Sequence, residues 1–169
     1  THTEGTAATC NAQATCSVCG TEYGEPTGDH SFDETGKCVC SAQAQTVITV
    51  GGETEYYLTL DDAISAVQFC TAEDNARVTL LTPVSSSADI GEGVFTLDLN
   101  GQTLTSSDDP DDDFVLRIFG GDVTLQDSAG GGGIVGTNEA ENSDAVFVYD
   151  GKLTITSGTI TGYTRGIKV

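Results

Sequence analysis

The chain has 169 residues and carries 26 acidic against 6 basic side chains, for a formal net charge of −20. A surface this acidic repels phosphate backbones and anionic headgroups, so neither nucleic acid nor an anionic membrane is an expected partner. No apolar run approaches the roughly 20 residues that a spanning helix needs, so membrane insertion is not expected either. Thr, Ser and Gly are abundant while Trp and Met are absent, which suits an exported, β-rich surface protein. A start at Thr1 instead of Met fits a processed or excised fragment. The length allows one domain with a small appendage.

The appendage comes first. Residues 1–40 hold five of the six cysteines and both histidines, with little hydrophobic periodicity. His2 and Cys10 are separated by the same interval as His30 and Cys38, as if a short unit had been duplicated imperfectly. Cys16-Ser17-Val18-Cys19-Gly20 has the spacing of a zinc knuckle, in which two thiolates reach one ion and a glycine relieves the turn. A structural Zn²⁺ would order a segment too short to build its own core. A disulfide framework is the alternative, natural for a secreted chain. Histidines at matched spacing have no part in such a framework and favour zinc. On this reading residues 1–44 are a small zinc- or disulfide-stapled module.

The stretch HTEGTAATCNAQATCSVCGTEYGE resembles small Cys/His repeats of large surface proteins of anaerobic Gram-positive bacteria. That resemblance implies a self-contained set of His2, Cys10, Cys16 and Cys19. The companion stretch HSFDETGKCVC resembles a shorter repeat ending in CxxCG. It departs from that pattern, with one residue between Cys38 and Cys40 and Ser41 in place of glycine. Whether His30, Cys38 and Cys40 complete a second site, share the first or form something else stays open on sequence alone.

Beyond the cysteines, Gln45 to Val50 reads as a strand, Gly51-Gly52 as a turn and Tyr56 to Leu58 as a return strand. Thr59 is placed to cap a helix, with Asp61 and Asp62 where the helix dipole favours negative charge. Leu60, Ala63, Ile64 and Val67 give that helix one apolar face, suited to covering the first layer of a β-rich body. Cys70 reads as a small hydrophobe at its edge. Arg77 to Leu81 is the next strand, ended by Pro83.

From Gly93 onward one pattern repeats: an alternating strand, an Asn/Asp/Gly turn, a second alternating strand, then Ser/Gly punctuation. The turn glycines Gly101, Gly121 and Gly151 fall 20 and then 30 residues apart. Short third strands come at Gly133 to Gly136 and Gly158 to Gly162. Such recurrence predicts a stacked β-solenoid with three faces per coil. The competing reading is a sandwich, with Asn100-Gly101 and Asp150-Gly151 as hairpin turns. The segments GVFTLDLNGQTLTSS, GGDVTLQDSAGGGGIVGT and GKLTITSGTITGY resemble the right-handed parallel β-helix (pectin-lyase-like) regions of the same class of surface proteins. The resemblance covers about three quarters of the chain, from Val47 to the end. It implies a mainly β fold, a right-handed parallel β-helix start with an N-terminal helical cap over residues 45–169, truncated from something longer.

For chemistry, Asp108-Asp109-Pro110-Asp111-Asp112-Asp113 is the densest acid cluster. Calcium is the ion such a cluster would take, against the plainer reading of a solvated loop. Lyases on the resembled fold use a basic residue and carboxylate-bound calcium; Arg117 and Lys152, at similar register, are the hint of one. Tyr56, Tyr57, Tyr149 and Tyr163 could stack on sugars. No catalytic residue is assigned. The function expected is a non-catalytic extracellular module on a bacterial cell surface, an adhesin stalk or glycan-binding scaffold. Its partners would be a glycan or host surface protein and other domains of the same longer chain. The rival is the N-terminal part of a polysaccharide lyase or glycoside hydrolase.

Overall fold

The structure, a computed structural model, describes residue 3 and residues 5–107, 114–137 and 144–169. The chain divides into two compact units, Thr1–Gln43 and Ala44–Val169.

The first unit is mostly irregular. Strands β1 (Ala14–Thr15) and β2 (Glu22–Tyr23) pair antiparallel, with Ala14 opposite Tyr23 and Thr15 opposite Glu22. Among its described residues the buried hydrophobic side chains are Cys16 and Cys38 alone, while Val18 and Val39 are exposed. Two cysteines do not make a hydrophobic core, so something other than apolar burial must hold this unit.

The second unit opens with a hairpin of β3 (Thr46–Val50) and β4 (Glu53–Tyr57), turned through Gly51 and Gly52, both at positive φ. Helix α1 (Leu60–Val67) comes next. The Thr59 hydroxyl accepts from the Asp62 amide at 3.1 Å and so satisfies one of the helix's unpaired donors. Leu60, Ala63, Ile64 and Val67 are buried and the helix packs on β3 and β4 and on two later strands, β5 (Ala76–Leu80) and β7 (Ala88–Ile90). Before β7 (Ala88–Ile90) lies the short β6 (Val84–Ser85). The rest comprises β8 (Val94–Asp98), β9 (Thr103–Thr105), β10 (Phe114–Gln126), β11 (Gly133–Val135), β12 (Asp144–Ile155), β13 (Thr159–Thr161) and β14 (Arg165–Lys168).

These strands form two sheets. One has eight strands in the order β14-β12-β10-β8-β5-β3-β4, with β7 also beside β10; the other runs β13-β11-β9-β6. Parallel pairing aligns like with like. Val78, Leu97, Leu125 and Ile155 form one row across the large sheet, and Leu104, Ile134 and Ile160 form one across the small sheet. Within each row all but the last residue are buried, giving one continuous core with α1.

The architecture corrects the expectation of a right-handed parallel β-helix with three faces per coil. The large sheet is mixed, because β3 runs antiparallel to both β4 and β5. The strands lie in two sheets and do not close into a solenoid; the fold is mainly β with mixed and parallel sheets and one helix. The reason lies in the glycines read as corners. At Gly121 and Gly151 the chain does not turn into another face: β10 and β12 each continue through the site within one sheet, with register shifts between Ile118 and Asp122. Such a bulge absorbs the positive φ of Gly121 and Gly151 without ending the strand. A Cβ at Gly121 would stand 2.6 Å from the Gly93 carbonyl oxygen, so the close approach of neighbouring strands also requires glycine there. Asn100 and Gly101, both at positive φ, do make a turn, but it passes the chain from the large sheet to the small one instead of closing a hairpin.

Buried carboxylates fasten these crossings. Asp98, 2% exposed, accepts from the Asn100 and Ser128 amides at 3.0 and 2.9 Å and from the Arg77 guanidinium at 2.8 Å. Asp127 accepts from the amides of Gly101, Gly130 and Gly132 at 2.7, 3.2 and 2.7 Å, so the four-glycine stretch wraps a protein carboxylate. Burial pushes the Asp98 carboxyl up, but the Ser128 and Asn100 amides and Arg77 outweigh it and hold it below the usual carboxylate range.

The buried carboxylate and the buried helix face each set an expected stability effect. Because the folded-state pKa of Asp98 lies below its unfolded value, its contribution is complete above about pH 4 and is lost as pH falls through the folded value. Asp98→Asn is therefore expected to cost about 2–3 kcal/mol near pH 7 and less in acid; thermal unfolding followed from pH 7 to pH 2 checks this, and a constant deficit would contradict it. Ile64→Asp buries an unpaired charge under the sheet and should lower the unfolding midpoint of the second unit; an unchanged midpoint would contradict the packing of α1.

Candidate metal centre

Three separated segments of the first unit meet at one point. The Cys10 carbonyl accepts from the Gly28 amide at 3.2 Å and the Thr9 carbonyl from Thr27 at 2.9 Å, which lays the approach to His30 beside Cys10. After His30, whose ring stacks on Phe32 with centroids 5.7 Å apart, the chain reverses. The Asp33 carboxylate makes that reversal, accepting from the Thr35 amide and hydroxyl and from the Lys37 amide at 2.8, 2.6 and 3.1 Å. The Thr35 hydroxyl, then the Lys37 and Thr35 amides, hold Asp33 below its ordinary pKa. Phe32 and Cys38 thereby face each other in an antiparallel bridge. A second tight turn, with the Ser41 amide donating to the Cys38 carbonyl at 2.8 Å, folds Cys40 back toward His30. Ser41 adopts φ 72°, a left-handed conformation that favours glycine, and it stands where the resembled CxxCG pattern has one.

The result is a cluster of Cys10, His30, Cys38 and Cys40 whose donor atoms all lie within 4.8 Å of one another. Cys38 is buried and the other three are half-buried. Cys10 Sγ and Cys38 Sγ are 3.6 Å apart, and Cys40 Sγ is 3.4 Å from His30 Nδ1. A tetrahedral ion with metal–sulfur bonds near 2.3 Å and metal–nitrogen bonds near 2.0 Å sets about 3.8 Å between two sulfurs and about 3.5 Å between sulfur and nitrogen. Both observed separations fall within about 0.2 Å of those edges. The cluster could therefore hold a metal ion such as zinc, and three thiols with one imidazole suit a soft, tetrahedral ion.

The thiols also affect one another. Cys10 is pushed up to about 12 by its hydrogen bond to Cys40, by burial and by Cys38. Cys38 is drawn down to about 6, first by the Cys40 backbone amide and then by His30. One thiolate formed in this group makes the next harder to form, a repulsion that a divalent cation removes.

The remaining sequence candidates fall elsewhere. Cys16 and Cys19 lie on the turn that joins β1 to β2, where the Gly20 amide donates to the Cys16 carbonyl at 2.9 Å. Cys16 is buried, and the exposed Cys19 lies 3.2 Å from the Thr21 hydroxyl. Neither belongs to the four-donor group. His2, the fourth member of the set implied by resemblance, lies outside the described residues, as does the Asp108 to Asp113 cluster. Cys10, Cys38, Cys40 and Cys70 are present as thiols. The basic residues weighed for lyase chemistry are taken up by ion pairs: Arg117 makes two contacts with Asp89, and Lys152 stands 3.9 Å from Asp122.

The sequence thus named every donor of the cluster but left their grouping open: resemblance placed Cys10 with His2, Cys16 and Cys19, and the place of His30, Cys38 and Cys40 was undecided. The matched His-to-Cys spacing pointed to His30 and Cys38 acting together. The turns through Gly28 and Asp33 that carry both to Cys10 have no counterpart in spacing alone. No protein-family model matches the chain, and neither the curated proteins nor the solved structures compared with it give a match.

Proposed function

We propose that the first unit is a structural zinc module and that the chain serves as a non-catalytic extracellular module of a bacterial surface protein, spacing or displaying a region that meets a glycan or a host surface. The observation that carries this reading is the convergence of three thiols and one imidazole from three chain segments, with all four donor atoms within 4.8 Å of one another. Four protein ligands close the coordination sphere and leave no position for the water that a catalytic zinc needs. The unit buries almost no apolar surface, so zinc would supply the folding free energy that a core supplies elsewhere. The high negative charge suits a protein that must stay soluble and separate from its copies outside the cell. No helix among the described residues is long and apolar enough to cross a membrane.

The test is elemental analysis with thiol titration on protein purified without reductant under anaerobic conditions. One zinc per chain is expected, and a chelator should release it together with three newly reactive thiols. Cys40→Ser should lose the metal and Cys70→Ser should retain it. A metal-free chain whose thiols react at once, or equal zinc in the Cys40→Ser variant, would contradict the proposal.

A further inference from the structure

Two thiols of the first unit stand in contact with each other. Cys10 Sγ and Cys38 Sγ are 3.6 Å apart across 28 residues of chain. A disulfide sets about 2.05 Å between its sulfurs, so closing the gap takes about 1.5 Å of side-chain movement. The backbone already holds both ends of that bond. Cys10 is fixed by the Gly28 amide, which donates to its carbonyl. Cys38 is fixed by its bridge to Phe32 and by its own amide, which donates to the Ala42 carbonyl at 2.9 Å.

A pocket of about 310 Å³ lies against one member of the pair, with Phe32, Lys37, Cys38 and Val39 in its lining; Cys10 and Cys40 do not line it. Cys38 itself is only 6% exposed. A reagent that reaches it must therefore be small, and one that joins two sulfurs must accept two electrons. A hydroperoxide meets both conditions. Cys40 also hydrogen-bonds Cys10, but its sulfur is 3.4 Å from His30 Nδ1 and away from the pocket lining.

We propose that Cys38 is an oxidation site: a hydroperoxide entering this pocket converts Cys38 and Cys10 to a disulfide and thereby frees a bound zinc ion. The Cys38 sulfur attacks the peroxide oxygen, the O–O bond breaks, and an alcohol or water leaves behind a sulfenic acid. The Cys10 sulfur then attacks the Cys38 sulfur and expels the hydroxyl as water. The two sulfurs lose two electrons and the peroxide gains them. Two protons, from the thiols or from solvent, complete the alcohol and the water. Of the four donors His30 and Cys40 alone remain, fewer than a structural tetrahedral site requires. The disulfide keeps the Cys10 and Cys38 segments joined while His30 is released, so one cross-link replaces another in a unit without an apolar core. This inference rests on the zinc reading and adds its regulation.

The test uses the whole chain, purified anaerobically, with zinc content measured first. Equimolar hydrogen peroxide is then added, zinc is followed with a colour-forming chelator, and bridged peptides are assigned by mass spectrometry after the remaining thiols are blocked. Zinc loss at least tenfold faster than without peroxide is expected, with Cys10 bridged to Cys38. Dithiothreitol with added zinc should restore the starting zinc content. Val39→Trp, a change at a 91% exposed residue of the pocket lining, should leave zinc content unchanged and slow the peroxide reaction several-fold. Zinc retained under peroxide, a bridge that includes Cys40, Cys16 or Cys19, or an equal rate in Val39→Trp would overturn the proposal while leaving the zinc reading intact. A chain without zinc at the first step would overturn both, so the two failures are told apart.

Discussion

Three segments, around Cys10, His30 and Cys38 to Cys40, have to meet at one point for the first unit to have a fold at all. The unit has one two-residue hairpin and no apolar cluster among its described residues, so neither backbone ladders nor burial can hold those segments together. Positive-φ glycines, the Asp33 turn and the strained Ser41 bring the donors close, and each arrangement costs conformational entropy. Crowded thiols add repulsion to that cost. A divalent ion bound there would offset both costs: it would neutralise the thiolates and cross-link the three segments. The geometry of this unit makes sense around an ion and has little to sustain it otherwise.

The second unit solves a different problem. Parallel strands cannot be joined by tight hairpins, so each return of the chain must be fixed by something besides the ladder. Here buried carboxylates do the fixing. Asp98 ties the end of β8 to the turn after it and to Ser128 beyond β10, while Asp127 gathers amides from Gly101 and from the glycine stretch. Above and below them the rows of Leu, Ile and Val stack like on like, so the same contacts recur from strand to strand.

Much of this was legible in the sequence. Alternation placed strands near Val94, Phe114 and Asp144, and the Thr59 cap with the spacing of Leu60, Ala63, Ile64 and Val67 located α1. What failed was the step from repeat to architecture. A Gly at positive φ serves a corner, a hairpin or a bulge equally well, and the choice at Gly121 and Gly151 is made by neighbouring strands distant in sequence. The antiparallel placement of β3 beside β5 has no local signal either, because it joins residues on opposite sides of α1. In the first unit residue type alone identified the donors. Their grouping depended on turns such as Gly28 and Asp33, whose direction only the folded chain reveals.

X-ray absorption at the zinc edge of the metal-loaded chain reads the donor set itself. A four-coordinate ion is expected, with three sulfurs near 2.3 Å and one imidazole nitrogen near 2.0 Å. His30→Ala is expected to remove the nitrogen while leaving the three sulfurs in place. A sphere of four sulfurs, of two sulfurs and two nitrogens, or one dominated by oxygen would contradict the grouping of Cys10, His30, Cys38 and Cys40.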